Sequence, residues 1–357
     1  MKIGILTFNH AINYGAVLQA YALKETLKSL GHDAWVIDYR QPKVERVDRP
    51  TYSAKKRWNL LKGFHLRSWL YYNKNKKAAL EKRKRFDDFT NQYLHLTQPC
   101  VASSMPQDFD MYISGSDQVW NHRICGGMDD AFWGNFQKPV NSKMVAYAAS
   151  TSVSDLQKNT PEELQAGLKN FDLISVRENA VRDYLNANFS TPNEVLTVLD
   201  PTLVADCSIW DSFESGKYKD KKYVLYFAAR TYSPNPFIVK EKAELLAKEI
   251  GCEALPITLS KHSPSDFVEL FKHATYVVSS SFHGVAFSLI FNRPLYAVMY
   301  GDEQDGRYVN LLRSVGAEQM LIGVNDIPYP IKIDYTEINQ KMSQIKKSSI
   351  DFLKTLS

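Results

Sequence analysis

The chain has 357 residues, of which 44% are apolar and 23% charged. This balance is typical of a soluble globular protein and excludes a disordered or fibrous chain. The length is too great for one ordinary hydrophobic core and predicts two domains. The longest apolar runs fall well short of the ~18 residues that a membrane span requires.

The first half of the chain alternates predicted strands with predicted helices. A strand at 3–8 leads into a helix at 16–30 that Gly31 ends, and a second strand follows at 34–39. Helical, basic segments continue to about residue 93, and short apolar runs then follow at 111–113, 143–148, 173–176 and 195–198. Strands that alternate with helices predict a parallel sheet covered on both faces.

A polar, turn-rich interval at 206–222 precedes a second alternating series. Its predicted elements are strands at 223–228, 253–257, 274–278 and 295–299, helices at 236–250, 266–273 and 284–291, and a last helical pattern at 335–356. We therefore predict an α/β protein with an N-terminal Rossmann-like domain at 1–215, a C-terminal Rossmann-like domain at 216–334 and a C-terminal helix at 335–357. In two facing domains of this kind the ligand lies outside the carboxyl ends of the strands.

Positive charge is concentrated in residues 41–90, which hold 15 Lys and Arg against 5 Asp and Glu and also contain Trp58, Phe64, Trp69, Tyr71 and Tyr72. Such a segment fits an anionic membrane surface, a nucleic acid or a pyrophosphate-linked substrate, and a pair of solvated helices is an equal alternative. The chain has no zinc-finger spacing and no aromatic RNA-binding box, so we expect no nucleic-acid partner. We expect peripheral membrane contact through residues 41–90.

The four cysteines are widely scattered and form no Cys-x-x-Cys pair. This spacing predicts free thiols in a reducing compartment and argues against a zinc cluster. The first eight residues read as a strand and are too short for a signal peptide. We expect a cytoplasmic protein that can associate with the inner face of the membrane.

Polar residues follow most of the predicted strands, at the edge where a doubly wound sheet binds its ligand. They are His10, Asn13 and Tyr14 after the first strand, Ser116 and Asp117 after the third, Ser150, Arg177 and Asp200 further on, and Arg230 and His283 in the second half. Each has a structural alternative, such as a turn at Asn13, a helix N-cap at 114–117, a surface ion pair at Arg177 or ordinary turn chemistry at Asp200. If the predicted fold is correct, these residues converge on one cleft.

The segment 279–284, Ser-Ser-Ser-Phe-His-Gly, stands where a buried strand gives way to a helix. Unpaired backbone N–H groups and the helix dipole favour an anion at such a place. A histidine there can bind phosphate or transfer a proton. The sequence lacks the glycine-rich dinucleotide fingerprint, the P-loop, the His-Glu-x-x-His zinc motif and the Gly-x-Ser-x-Gly elbow, so no common cofactor class is expected.

Taken in order, these segments resemble the polysaccharide pyruvyl transferase family over most of the chain. The residues that carry the resemblance are 2–22, 114–120, 147–150, 175–178, 199–203 and 280–284. The resemblance implies a fold like that of the two-domain B-type glycosyltransferases. It also implies transfer of a pyruvyl group from phosphoenolpyruvate to two sugar hydroxyls as a cyclic ketal, with phosphoenolpyruvate as co-substrate and neither a cofactor nor a metal.

The same resemblance implies roles for individual residues. Arg177 and His283 match the family's catalytic arginine and histidine. The implied donor contacts are Ser280, Ser281, Phe282, Gly284, Arg307 and Arg230, and the implied acceptor contacts are His10, Asn13, Tyr14, Ser116 and Asp117. The implied partners are phosphoenolpyruvate and a glycan acceptor of polyprenyl-linked type, in the biosynthesis of a capsule or exopolysaccharide.

One departure from the family concerns the donor. Better characterised branches carry Arg-Leu-His-Gly where this chain has Ser281-Phe282-His283-Gly284. Either Arg307, Arg230 or Arg293 supplies the missing charge, or the donor is another molecule. A nucleotide-sugar-dependent glycosyltransferase of the same fold is the alternative enzyme, and a non-catalytic glycan-binding protein is the third hypothesis.

Overall fold

The computed structural model describes residues 1–44, 66–228 and 237–356, with backbone alone for 66–75. Contacts between Cα atoms divide the chain into two compact units. Unit 1 comprises Met1–Lys24, Gly31–Thr197 and Leu259–Pro264, and unit 2 comprises Glu25–Leu30, Val198–Thr258 and Ser265–Ser357. Within the described ranges, no helix combines the length and the apolar character that crossing a membrane requires.

Among the described residues, unit 1 has six parallel strands in the order β2-β1-β3-β4-β5-β6. The strands are β1 (Lys2–Leu6), β2 (Asp33–Val36), β3 (Met111–Ser114), β4 (Lys143–Ala149), β5 (Leu173–Val176) and β6 (Leu196–Thr197). The helices along this part of the chain are α1 (Tyr14–Ser29), α2 (Leu66–Tyr93), α3 (His122–Cys125), α4 (Val153–Leu156), α5 (Pro161–Leu168) and α6 (Asn179–Asn188). The central strands are buried almost throughout, as a parallel sheet with two covered faces requires.

Unit 2 contains, in the part of the chain that is described, five parallel strands in the order β11-β10-β9-β7-β8. The strands are β7 (Tyr223–Phe227), β8 (Glu253–Pro256), β9 (Tyr276–Ser279), β10 (Leu295–Met299) and β11 (Leu321–Gly323). The helices are α7 (Pro201–Val204), α8 (Ile238–Glu249), α9 (Pro264–His273), α10 (Phe282–Ile290), α11 (Gly306–Ser314) and α12 (Thr336–Lys354).

The predicted fold class is confirmed, because both units are parallel α/β structures and a helix ends the chain. Residues 198–215, which the sequence analysis assigns to the first domain, pack within unit 2. There α7 contacts α10 and α12, and the Leu199 backbone N–H donates to Ser349 Oγ at 2.9 Å. Three elements, α7, α11 and β11, lie where no element is predicted from the sequence. The strand has only three residues, too few to show a period.

In each sheet as described, successive strands are added first toward one edge and then toward the other, so the strand order has one reversal point. In unit 1 it lies between β1 and β3, and in unit 2 between β7 and β9. A doubly wound sheet binds its ligand in the crevice that such a reversal leaves at the carboxyl ends of the strands. A binding site is therefore expected in the loops that follow these strands.

Helix α10 is held in unit 2 by aromatic packing. The Phe287 ring lies 5.0 Å from the Trp210 ring and 5.4 Å from the Phe267 ring, both in edge-on geometry. Such pairs contribute roughly 0.5–1.5 kcal/mol each beyond the area they bury. The helix begins at Phe282, two residues before the predicted start, so that His283 belongs to its first turn.

Candidate active site

The turn between β9 and α10 is organised by one serine hydroxyl. Ser279 Oγ donates to the Phe227 carbonyl at 2.9 Å and accepts from the Ser281 backbone N–H at 3.1 Å. Gly284 packs directly against it, since a Cβ at position 284 would lie 2.1 Å from Ser279 Oγ. The glycine is therefore required by close approach and not by an unusual backbone conformation.

The turn from β9 into α10 presents buried polar atoms that have no hydrogen-bond partner among the described residues. Ser281 occupies the N-cap position in an extended conformation, but its side chain makes no capping hydrogen bond. Ser280 and His283 are 3% and 9% exposed, and neither Ser280 Oγ nor His283 Nε2 has a hydrogen-bond partner in the described part of the chain. Buried polar atoms without partners are costly and mark places where a water or a ligand completes the bonding. Beside a helix N-terminus, that ligand is favoured to be an anion.

Asp200 follows a predicted strand, and the sequence alone indicates no particular role for it. Its side chain is fully buried, and its Oδ2 lies 3.7 Å from His283 Nε2. Its Oδ1 accepts from the Thr202 N–H and hydroxyl at 3.0 and 2.7 Å and so caps α7. The Asp-Pro pair after an apolar run is the only sequence signal, and it is shared with ordinary turns.

The three arginines considered as donor contacts lie in different surroundings. Arg307 is half-buried in the first turn of α11, after the carboxyl end of β10. Arg293 precedes β10, which runs parallel to β9, so it lies at the opposite edge of the sheet from His283. Burial lowers the pKa of Arg293. Arg230 lies outside the described residues. The suggestion that Arg293 replaces the missing arginine is therefore wrong, because strand direction separates it from the α10 turn.

Arg177, in unit 1, has a buried side chain with polar contacts on two sides. Its side chain is 4% exposed, and its Nε lies 3.3 Å from Glu178 Oε1 while its Nη2 donates to Ser150 Oγ at 2.7 Å. The Ser150 hydroxyl in turn donates to Glu178 Oε1 at 2.6 Å. The alternative of a solvated surface pair is excluded by this burial. Its predicted catalytic role stays a prediction.

The loop after β3 places Ser116 and Asp117 next to that group. The Asp117 carbonyl accepts from the Ser150 N–H at 2.9 Å, and the Ser116 carbonyl accepts from Thr7 Oγ1 at 2.9 Å. Asp117 has φ +69°, a left-handed conformation that a non-glycine residue seldom adopts outside constrained sites. The helix N-cap considered at 114–117 is not observed, because Asn121 caps α3 instead.

The three candidate residues after β1 lie in different surroundings. Asn13 is exposed, and its Oδ1 accepts from the Ala16 N–H at 3.3 Å, which is the helix-entry role that the sequence left open. Tyr14 is buried, and its hydroxyl donates to the His262 carbonyl at 3.0 Å. His10 Nε2 lies 3.3 Å from the buried carboxylate of Asp38. Of the three, only His10 belongs to a buried charged cluster.

One group among the described residues has the geometry of a cation site. The ligand atoms of Glu214, Glu269 and His273 lie within 4.8 Å of one another. Lys272 Nζ lies 2.5 Å from Glu214, and Ser215 Oγ donates to Glu269 at 2.6 Å. The hydrogen bond from Lys272 is the main reason that the pKa of Glu214 is lowered. We interpret the group as an ion-pair network, since its carboxylates are already engaged.

Comparison with known proteins places these motifs in one family. The family described as polysaccharide pyruvyl transferase matches residues 13–302. The chain belongs to that family. The matched range includes Asn13, Asp117, Arg177, Asp200 and His283. The name of the family indicates a transferase that acts on polysaccharide. Arg307 and α12 lie beyond the matched residues. No curated protein matches the chain.

The solved structures to which this chain is similar include an epimerase, a glycosyltransferase and a heptosyltransferase. A Methanocaldococcus jannaschii UDP-GlcNAc 2-epimerase is 12% identical with a TM-score of 0.47, over 98% of this chain and 93% of that one. The glycosyltransferase SsfS6 of Streptomyces sp. SF2575 is 12% identical with a TM-score of 0.42, over 100% and 99%. The Escherichia coli heptosyltransferase WaaC is 13% identical with a TM-score of 0.37, over 98% and 100%.

Proposed function

We propose that this pyruvyl transferase family member uses phosphoenolpyruvate to place a pyruvate ketal on two hydroxyls of a sugar, in a cell-surface polysaccharide or its lipid-linked precursor. Family membership supports the reaction class. The observation that carries the donor is the N-terminus of α10, with Ser281 at the N-cap making no capping bond and the buried Ser280 Oγ lacking a hydrogen-bond partner among the described residues. A phosphate or carboxylate of the donor would complete the hydrogen bonds that these atoms lack.

The proposed reaction balances without a cofactor. A proton added to the methylene carbon of phosphoenolpyruvate makes the methyl group and leaves C2 electron-poor. One sugar hydroxyl bonds to C2, the C2–O bond to phosphate breaks, and the second hydroxyl closes the ring. The two sugar hydroxyls release two protons. One balances the proton that the methylene carbon takes up, and the other protonates the leaving phosphate to hydrogen phosphate.

Two residues have proposed catalytic roles. His283 accepts a proton from the acceptor hydroxyl or contacts the phosphate, and a well-placed acid or base of this kind contributes typically 10²–10⁴-fold. Arg177 contacts the donor or assists proton delivery, and its guanidinium is held by Glu178 and Ser150. The proposed donor contacts are the α10 turn and Arg307. The proposed acceptor contacts are His10, Asn13, Tyr14, Ser116 and Asp117.

Turnover is the direct test of this function. The purified protein is incubated with phosphoenolpyruvate and a panel of aryl glycosides and polyprenyl-linked sugars, and phosphate release and an acid-labile ketal are measured together. We expect both products in equal amounts from at least one acceptor. Thermal stabilisation by a nucleoside diphosphate, with none by phosphoenolpyruvate, would favour the alternative of a nucleotide-sugar-dependent glycosyltransferase.

Donor binding can be tested apart from turnover. Ser280→Ala removes the buried hydroxyl, and we expect phosphoenolpyruvate to bind roughly tenfold more weakly by calorimetry, since hydrogen bonds to charged groups contribute about 1.5–3 kcal/mol. The matched control is Ser288→Ala within α10, where the Ser288 hydroxyl donates to the Gly284 carbonyl at 2.8 Å. Equal effects of the two substitutions would contradict a donor site at this turn.

We further propose that α2 approaches an anionic membrane surface where the lipid-linked acceptor resides. Lys76, Lys77, Leu80 and Lys84 are exposed and recur at the spacing of one helix face. A lysine close to an anionic membrane contributes about 1 kcal/mol to binding. The aromatic residues at 58, 64, 69, 71 and 72 that the sequence analysis groups with them lie where no side chains are described.

The membrane proposal is tested with vesicles that contain phosphatidylserine. Replacing Lys76, Lys77 and Lys84 by Glu should abolish co-sedimentation and reduce activity on lipid-linked but not on soluble acceptors. The control variant carries the same charge change on α12, at Lys341, Lys347 and Lys354. Equal loss of sedimentation in both variants, or equal loss of activity on both kinds of acceptor, would contradict the role of α2.

A further inference from the structure

Asp200 is a buried carboxylate whose two oxygens face different partners. The side chain is fully buried at the start of α7. Oδ1 accepts two hydrogen bonds from Thr202, one from the backbone and one from the hydroxyl. These two bonds complete the N-cap of α7, so the cap does not account for the placement of Oδ2.

The second oxygen of Asp200 is directed at the histidine of the α10 turn. Oδ2 lies 3.7 Å from His283 Nε2, which is buried and has no hydrogen-bond partner among the described residues. The separation exceeds an ordinary N–H···O distance by roughly 0.8 Å. Catalytic hydrogen bonds are often long in a ligand-free protein and shorten when substrate binds.

We propose that Asp200 is a positioning residue for His283. Its carboxylate accepts a hydrogen bond from Nε2–H and thereby holds the imidazole in the tautomer whose Nδ1 carries the lone pair. Nδ1 is then the nitrogen that meets the substrate, and the buried carboxylate stabilises the positive charge that forms when Nδ1 takes up a proton. This inference rests on the proposed function, because it gives His283 the role of a base.

If Asp200 only capped α7, its substitution should affect the protein as substitution of any other helix-capping aspartate does. Asp206 provides the comparison, because it also accepts from the backbone N–H and the hydroxyl of a residue two positions on, Ser208, at 2.9 and 2.6 Å. It caps the following 3₁₀ helix but is exposed. If Asp200 serves only as a cap, substitutions at 200 and 206 should have similar consequences.

Asp200→Asn is the informative substitution. Asparagine caps a helix as well as aspartate does, so α7 should be retained. Thr202 donates to the oxygen at the Oδ1 position, which places the new amide NH₂ opposite His283. An NH₂ group donates to Nε2 and therefore favours the opposite tautomer, in which Nδ1 carries the proton and cannot act as a base.

The first measurement is nitrogen NMR of protein labelled at histidine, at a pH where the imidazole is neutral. The His283 signals are assigned by their loss in His283→Gln. We expect Nε2–H in the wild-type protein and Nδ1–H in Asp200→Asn, with Asp206→Asn unchanged. The same tautomer in wild type and Asp200→Asn, or Nδ1–H in the wild type, would overturn the proposal.

The second measurement is steady-state kinetics with phosphoenolpyruvate and an acceptor that turns over. We expect Asp200→Asn to lower kcat by about 10²–10⁴-fold and to leave KM for phosphoenolpyruvate within about threefold. A change in KM alone, or an equal effect of Asp206→Asn, would overturn the positioning role. If the wild-type protein does not use phosphoenolpyruvate, the proposed function fails, while the tautomer measurement still decides whether Asp200 orients His283.

Discussion

The packing of Gly284 against Ser279 makes the β9–α10 turn sensitive to a single methyl group. In Gly284→Ala the new Cβ would lie 2.1 Å from Ser279 Oγ and 2.9 Å from Ser279 Cβ. If the hydroxyl rotates away, it loses its bonds to Phe227 and Ser281, a cost of about 2 kcal/mol. If α10 moves instead, overpacking costs typically 1–3 kcal/mol. Alanine returns about 1 kcal/mol through its higher helix propensity. We expect a net loss of about 1 kcal/mol, which is the cost of either route less the gain in helix propensity.

Urea denaturation of matched variants measures this loss. Gly306→Ala is the control, because Gly306 also opens a helix and has ordinary helical dihedrals, and a Cβ at position 306 would meet no described atom within 4 Å. That variant should be neutral or slightly stabilised. In the Ser279→Ala background, Gly284→Ala should cost less stability than it does in the wild type, since the hydroxyl clash is gone and only the 2.9 Å approach to the Cβ of residue 279 remains. If Gly284→Ala is as stable as Gly306→Ala, the close approach at this turn is refuted.

Three further predictions follow from the described residues. Gly115→Ala should lower the free energy of unfolding, measured in urea, by about 2–6 kcal/mol. The new Cβ would lie 2.2 Å from the Tyr147 carbonyl oxygen, and the backbone has φ +120°. Gly127→Ala is the control for the cost of the backbone conformation alone, because Gly127 has φ +130° and no described atom lies within 4 Å of its Cβ. Burial lowers the pKa of His32, so the neutral form stabilises the fold above the unfolded pKa near 6.5, and that stability is lost as pH falls. Thermal melting of His32→Gln should therefore show a smaller loss between pH 7 and pH 5 than the wild type, and parallel curves would contradict this. Ser281→Arg should tighten phosphoenolpyruvate binding roughly tenfold by calorimetry, as one charge-assisted hydrogen bond provides; unchanged affinity would show that position 281 does not face the donor.

The sequence was sufficient to predict the order of strands and helices in both units. Buried parallel strands are short apolar runs bounded by turn residues, and that signal located nearly every strand. It failed for β11, which has three residues, and for α11, which is short and begins with glycine. It also assigned residues 198–215 to the wrong side of the division between units, because the contacts of α7 with α10 and α12 that place it in unit 2 join distant parts of the chain.

Individual site residues were less predictable than the edge of the sheet on which they lie. The rule that ligands bind at the carboxyl ends of parallel strands located the α10 turn and the Arg177 group. It could not show that Arg177 is nearly buried against Glu178, or that Asn13 caps a helix, since both facts depend on side-chain contacts. The Asp200–His283 pair joins residues 83 positions apart, and no local spacing encodes such a contact.

The absence of an arginine at position 281 bears on how this family member would hold an anionic donor. In the α10 turn, the N-cap side chain makes no hydrogen bond to the helix, so the first backbone N–H groups receive no cap from it. Those groups and the helix dipole supply partial positive charge where the family pattern supplies a full one. Hydrogen bonds from neutral donors are weaker than those from a guanidinium, so a second cation is needed for tight binding. Arg307 is the described candidate, because it follows the carboxyl end of β10, the strand next to β9. We therefore expect Arg307→Gln to weaken phosphoenolpyruvate binding in the wild type but much less in Ser281→Arg, a coupling that two unrelated arginines would not show.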